Sequence, residues 1–159
     1  MATHDATKQA TDPAKVLQVN EKKWTKSLMA AGWTAFPSVV LENQVELELD
    51  AMDINILLYL STHWWTADSK PRPSKATIAR AIGLSPRTIQ RRITAMHERG
   101  LLRREERRVK GHGSKPNLYH FDGLIKAAFP FAEAKSAAIA ERLAAKKAVK
   151  GKPHLHAVK

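Results

Sequence analysis

The chain has 159 residues, enough for one domain with appendages but too few for two full domains. It contains no cysteine, which excludes disulfides and thiolate metal sites, and its longest apolar run, residues 54–60, is too short to span a bilayer. Residues 1–15 are polar and contain no signal-peptide core. These features together predict a soluble cytoplasmic protein.

The net charge of +12 is concentrated in one part of the sequence. Residues 70–116 carry 14 basic and three acidic side chains, whereas residues 1–69 carry five basic and nine acidic ones. A local basic block is typical of a surface that binds a polyanion, because each neutralised phosphate releases condensed counterions. The alternative is a solvated basic surface that only aids solubility.

The first 49 residues show weak patterns. Residues 1–20 are polar and aperiodic, which predicts a disordered arm. Residues 21–49 predict an extension packed on the core. Within it, residues 24–31 have apolar side chains at helical spacing, residues 38–44 favour a short helix, and residues 45–49 alternate between apolar and acidic side chains like a strand.

Residues 50–124 show the clearest pattern, which predicts three helices and a hairpin. Each helix follows a residue type that caps helix N-termini: Asp50, Ser74 and Ser85. Pro86 suits the first position of the third helix, and Gly83 and Gly100 suit the positive φ of helix ends. The predicted inward residues of the second and third helices are Ile78, Ala81, Ile82, Ile89, Ile93 and Met96. Residues 101–109 and 117–121 then predict two strands joined by a basic, Gly-rich loop.

The second and third helices meet the physical needs of a helix-turn-helix. Small residues, Ala79 and Ala81, let the two helices approach closely, Gly83 allows the turn, and Leu84 fills the gap between the helices. At 100° per residue, the side of helix 86–99 opposite its apolar stripe carries Arg87, Gln90, Arg91 and Thr94, with Thr88 at the flank.

That outward side predicts contacts with DNA bases. The N-terminal half of a recognition helix meets base edges in the major groove, where Arg pairs with guanine and Gln with adenine. The predicted DNA-binding residues of this helix are Ser85, Arg87, Thr88, Gln90, Arg91, Arg92 and Thr94, joined by Ser74 and Lys75 at the start of the second helix. Arg92 lies nearer the core edge, where it reaches either a phosphate or a neighbouring carboxylate. The alternative is an exposed helical face with ordinary charges.

The hairpin predicts a wing. Its loop, residues 110–116, combines two glycines with two lysines, and such a loop can lie along a phosphate backbone or enter the minor groove. The predicted contacts are Arg107, Arg108, Lys110, His112, Ser114 and Lys115. Glu105 and Glu106 offset part of the charge, so some of the flanking arginines are expected to form salt bridges.

The run PSKATIARAIGLSPRTIQRRITAMHERGLLRR, together with NLYHFDGL, resembles winged helix-turn-helix domains of replication proteins and regulators from plasmids, phages and integrative elements. The resemblance covers residues 50–124. It implies a mainly α fold with a small β-hairpin wing, to which the flanking regions add N- and C-terminal helices. It also implies a sequence-specific double-stranded DNA-binding protein, a transcriptional regulator or replication factor of a bacterial mobile element, located at the nucleoid. The alternative is an adaptor that binds a protein or RNA partner within a larger nucleoprotein assembly.

Residues 125–149 predict an Ala-rich helix, followed by a basic tail, residues 150–159. Ile139 and Leu143 belong to a narrow apolar stripe, which either packs back on the domain or pairs with a second copy. Because winged-helix proteins often bind DNA as two copies, we predict a homodimer formed through this helix.

No catalytic or metal-binding pattern is present in the sequence. The histidines lack metal-ligand spacing, and neither a nucleophile elbow nor a phosphate-binding loop occurs. Trp64 and Trp65 could stack on a ligand, but tryptophans at the end of so apolar a helix are expected to be core anchors. We therefore expect a non-enzymatic protein without a metal or cofactor and without a membrane partner.

Overall fold

The computed structural model describes residues 13–109 and 113–150, and the chain divides into two compact units, residues 1–35 and 36–159. The division falls inside the predicted extension of residues 21–49. In the first unit, α1 (Pro13–Trp24) and α2 (Lys26–Ala30) are separated at Thr25, whose backbone φ is 71°. Residues 13–20 are therefore helical, which corrects the predicted arm. Lys, Gln and Glu favour helix even without an apolar stripe, so polarity alone was misleading here.

The second unit begins with α3 (Ser38–Glu42), a turn, and α4 (Ala51–Ser61). The predicted strand at residues 45–49 is wrong, because residues 43–48 form a turn closed by the hydrogen bond from Leu49 N–H to the Gln44 carbonyl (2.7 Å). Leu47 and Leu49 are buried while Val45 is 81% exposed. The turn buries alternate side chains although no strand in the described part of the chain lies beside it. Its sequence therefore alternates between apolar and acidic residues as a strand would.

The helix-turn-helix and its wing follow in the predicted order. They consist of α5 (Lys75–Ile82), α6 (Pro86–Glu98), β1 (Arg103–Val109) and β2 (Gly113–His120). The two strands pair antiparallel, with Arg104 opposite Tyr119 and an irregularity between Glu105 and Arg107. Residues 113–116, predicted as loop, belong to β2. Tyr119 N–H also donates to the Pro71 carbonyl at 3.0 Å, so the extended segment before α5 lies beside the wing.

The core lies between α4, α5, α6, the base of the hairpin and the start of the last helix. Its most deeply buried side chains are Ile56, Leu57, Leu60, Pro71, Ile78, Ile89, Ile93, Met96, Leu102 and Tyr119, together with the carboxylate of Asp53. In α5, Ile78 faces inward as predicted, but Ala81 is exposed and Ala79 is buried instead. The two alanines lie on opposite sides of Ile78 on the helix surface. The position of α6 determines which of them is buried.

The last helix, α7 (Asp122–Lys150), begins three residues before the predicted segment of residues 125–149. A Cβ at Gly123 would lie 1.7 Å from the Gly100 carbonyl oxygen, so only glycine permits this approach. Leu124 N–H donates to the Leu101 carbonyl at 2.8 Å, which attaches α7 to the turn after α6. Among the described residues, no helix combines the length and the apolar character needed to cross a membrane.

Candidate nucleic-acid interface

The ends of α5 and α6 are set by the local signals that the sequence contains. Ser74 Oγ accepts a hydrogen bond from Thr77 N–H, and Ser85 Oγ accepts one from Thr88 N–H, both at 3.0 Å. Gly83 has a φ of 76°, a conformation that glycine adopts without strain. The predicted caps and turn are thereby confirmed, and they set the angle at which α6 leaves α5.

The inner face of α6 is held by apolar packing, by Arg92 and by Arg99, the C-cap residue of the helix. Ile89, Ile93 and Met96 are at most 1% exposed. Arg92 forms an ion pair with Asp50, the N-cap of α4, and Arg99 Nη2 lies 3.0 Å from Asp53 Oδ2. The carboxylate that was predicted as one of two partners for Arg92 is therefore present, and the contact of Arg92 with phosphate stays a prediction. These contacts fix the rotation of α6 about its own axis.

The acidic partners on α4 are electrostatically distinct. Burial raises the pKa of Asp50, but the Asp53 and Met52 N–H groups and the Arg92 guanidinium outweigh it, so the pKa lies below its usual value. The side chain of Asp53 is 2% exposed, and its Oδ1 is buried without a hydrogen bond. Asp53 therefore depends on the nearby guanidinium groups of Arg92 and Arg99 for charge compensation.

The outer face of α6 presents Arg87 and Arg91 to solvent. Neither guanidinium has a hydrogen bond or ion pair with any residue in the ranges 13–109 and 113–150. An arginine without an intramolecular partner keeps all its donors for a ligand, and its fork geometry suits guanine or phosphate. These two side chains are the most available candidates on the predicted recognition helix.

The side chain of Gln90 connects α6 to α5. Its amide oxygen accepts a hydrogen bond from Lys75 Nζ, and its amide nitrogen donates to Thr94 Oγ1 at 3.1 Å. Three of the predicted DNA-binding residues therefore form one network across the helix-turn-helix. The Gln90 amide keeps a second N–H donor and a second oxygen lone pair for a base contact.

The hydroxyl groups of Ser74, Ser85 and Thr88, which are predicted at the interface, are engaged in capping. Ser74 Oγ lies 2.8 Å from Thr77 Oγ1, and Ser85 Oγ lies 2.9 Å from Thr88 Oγ1. Ser74, Ser85 and Thr88 thus have structural roles at the two helix N-termini. These N-termini carry partial positive charge, which favours a phosphate nearby.

The wing is described only in part. Arg107 pairs in register with Lys115, and the backbone of Arg108 pairs with that of Ser114. Lys110 and His112 lie outside the described residues. The expected salt bridges occur nearer the base of the hairpin, between Arg104 and Glu106 (3.4 Å) and between Arg103 and both Glu105 (3.7 Å) and Asp122 (3.8 Å).

A basic and aromatic segment beside the wing was not predicted from the sequence. Residues of the α4–α5 loop and Leu118 of β2 line one groove: His63, Trp65, Asp68, Ser69, Lys70, Arg72, Pro73 and Leu118. Trp65 is 79% exposed, which corrects its prediction as a core anchor, while Trp64 stacks on Phe121 with ring centroids 5.1 Å apart. The signal for this segment was the run KPRPS, whose prolines favour extended backbone next to a strand.

Two titratable side chains, Tyr119 and His120, are buried at the base of the hairpin. Burial raises the pKa of Tyr119, an effect that the charge of Arg104 partly offsets. His120 is buried and lies 2.8 Å from Glu105 Oε2. Across residues 13–109 and 113–150, no group of three His, Asp or Glu side chains is arranged to hold a metal ion.

A family model agrees with this geometry. Residues 47–102, about a third of the chain, match the model of a family described as a helix-turn-helix domain. No curated protein matches the chain. A solved structure, described as the crystal structure of RV1404 from Mycobacterium tuberculosis, is similar over 92% of this chain and 100% of that chain, with 17% identity and a TM-score of 0.40. Residues 47–102 form a helix-turn-helix domain, a class of DNA-binding domain, and the following hairpin gives it a wing.

Proposed function

We propose that the protein binds double-stranded DNA sequence-specifically, with α6 in the major groove and the wing on the backbone or in the minor groove. The observation that carries the proposal is the division of α6 into two faces. Arg92 and Arg99 are held by carboxylates of α4, whereas Arg87 and Arg91 are exposed and have no partner among the described residues. Arg87 and Arg91 are the proposed base-contacting residues, with Gln90 and Thr94 beside them.

Phosphate contacts are proposed on both sides of α6. On one side, Lys75 and the capped N-termini of α5 and α6 present positive charge. On the other side, Arg107 and Lys115 lie opposite each other in the hairpin. For Arg108, Lys110, His112 and Ser114 the proposal rests on the basic sequence of the wing. Because such contacts are mostly independent of sequence, they supply affinity while α6 supplies specificity.

The proposed role is that of a transcriptional regulator or replication factor of a bacterial mobile element, bound to DNA at the nucleoid as a homodimer formed through α7. This role is supported by the resemblance of residues 73–104 and 117–124 to winged helix-turn-helix domains of such proteins. One recognition helix contacts only a few base pairs, so a second copy on an adjacent half-site increases both affinity and specificity.

Selection of duplexes from a random pool tests the proposal. We expect enrichment of one sequence and a preference for it over random duplex that persists as salt is raised, because base contacts do not depend on counterion release. Arg142→Ala, which removes the same charge from the exposed surface of α7, is the matched control for recognition-helix variants. A pool without enrichment, together with stable binding of a protein or RNA partner, would instead support the adaptor function.

A further inference from the structure

The two halves of α7 differ in what covers them. In the first half, Leu124 and Ala128 are buried in the core, and Lys135 Nζ ends this attached part with an ion pair to Glu42 on α3 at 2.5 Å. Every residue from 136 to 147 is exposed. A helical segment of about three turns without tertiary packing is only marginally stable in water. Packing against a partner would stabilise this second half.

An apolar stripe runs along both halves, beside the face that contacts the core. Its positions follow one another at intervals of four, three, four, three and four residues: Ile125, Phe129, Ala132, Ser136, Ile139 and Leu143. This is the heptad spacing of helices that pack against another helix. The larger side chains are 36–58% exposed, although their spacing suits burial. Pro130 lies off the stripe, against a groove that includes Arg99 and Phe131.

The stripe is complementary to itself in the antiparallel direction. Position 134 is its midpoint: Ile125 and Leu143 are equally distant from it, as are Phe129 and Ile139, and as are Ala132 and Ser136. Two antiparallel copies centred there would pair large side chains with large ones and small with small. The small pair next to the midpoint would allow the two backbones to approach closely.

Charge at the ends of the stripe favours the same direction. Continuing the spacing by one step at each end reaches Asp122 and Lys146, which are again equally distant from position 134. An antiparallel pair places each aspartate opposite the partner's lysine, whereas a parallel pair places lysine opposite lysine. The side chain of Asp122 is 67% exposed, so it is accessible for this contact.

We propose that α7 joins two copies of this chain as an antiparallel pair about a twofold axis beside residue 134. The exposed second half of each helix then covers the exposed stripe on the core-attached half of the other helix. The inference deepens the homodimer of the proposed function and does not depend on DNA binding.

Cysteine cross-linking without DNA tests the direction of pairing, since the chain has no cysteine of its own. Full-length Ile125→Cys and Leu143→Cys variants are oxidised separately and as an equal mixture. We expect a cross-linked dimer only in the mixture, because identical positions in the antiparallel pair lie about 27 Å apart along the helix. Cross-linking of either variant alone would overturn the proposal in favour of a parallel pair.

Sedimentation of the wild-type protein completes the test. A monomer at the highest soluble concentration, or a dimer that none of the cysteine variants cross-links, would also overturn the proposal. Lys146→Asp should weaken the dimer by roughly three- to tenfold, and adding Asp122→Lys should restore it. Arg80→Asp, the same charge change on α5, should have no effect. An unaltered Lys146→Asp dimer would contradict the register. DNA binding is absent from all of these measurements, so its failure would leave them unchanged.

Discussion

Arginines lie on both faces of α6, but their surroundings differ. On the inner face, Arg92 and Arg99 compensate the carboxylates of Asp50 and Asp53 beside a fully apolar stripe. On the outer face, Arg87 and Arg91 lie in solvent without partners among the described residues. The difference shows that a nearby carboxylate decides which arginines form intramolecular ion pairs, because each guanidinium held by a carboxylate has fewer donors left for any ligand.

The largest effect is expected from breaking the inner face. Asp53→Ala removes a carboxylate that is 2% exposed and leaves Arg99 without its ion pair. Because loss of one member of a buried pair leaves the other charge uncompensated, we expect the free energy of unfolding to fall by about 3 kcal/mol. Urea denaturation measures this change. Asp68→Ala, at an exposed position in the α4–α5 loop, is the matched control and should leave the midpoint unchanged.

The outer face should show the opposite behaviour. Arg91→Ala is expected to lower affinity for the selected duplex by about 1–3 kcal/mol, with a much smaller change on random duplex and no change in unfolding midpoint. Fluorescence titration against both duplexes measures the effect, with Arg142→Ala as control. Equal loss on the two duplexes would reduce Arg91 to a phosphate contact and remove its proposed base specificity.

Asp50 has two roles: it caps the N-terminus of α4, and it forms the ion pair with Arg92 of α6. Asp50→Ala should destabilise the protein by about 1 kcal/mol, through loss of the cap to the Met52 and Asp53 N–H groups. Asp50→Asn keeps a capping oxygen but loses the charge, so its smaller effect isolates the pairing with Arg92. A deficit of equal size in both variants would show that the charge, and not the cap, stabilises α4.

The pH dependence of Asp50 follows from the direction of its pKa shift. Its pKa is lower in the folded protein than the ordinary value of 3.8, so the carboxylate stabilises the folded state above pH 3.8 and loses this effect as pH falls through the folded pKa. The stability difference between wild type and Asp50→Asn should therefore be full at neutral pH and shrink in acid. Denaturation curves across this range measure it, and a difference that grows in acid would contradict the shift.

The smallest expected effect belongs to the wing. Replacing Lys110 and Lys115 together with Ala should weaken binding to every duplex and reduce the slope of log K against log salt by up to about 0.9 for each phosphate that the wing no longer neutralises. Replacing Lys22 and Lys23 of α1 removes the same charge and serves as control. An unchanged salt slope in the wing variant would show that the wing does not touch phosphate.

The sequence predicted the helix-turn-helix well but the regions around it less well. Asp50, Ser74, Ser85 and Gly83 act where they were predicted to act, because caps and turns depend on residues within one helical turn. The strand at residues 45–49 and the burial of Trp65 were wrong. In both cases the prediction used only neighbouring residues, whereas the backbone conformation and the burial of the side chains depend on which other elements pack against the segment.

By itself the sequence determined where α4, α5 and α6 begin, where α5 and α6 end, and which side of α6 is apolar, since these features follow from capping and from a period of 3.6 residues. Only the tertiary structure decided what each charged residue contacts. Arg91 and Arg92 are neighbours in the sequence, yet one lies in solvent and the other pairs with Asp50. The folded core brings Asp50 to α6 from a distant part of the chain, and no local pattern encodes that contact.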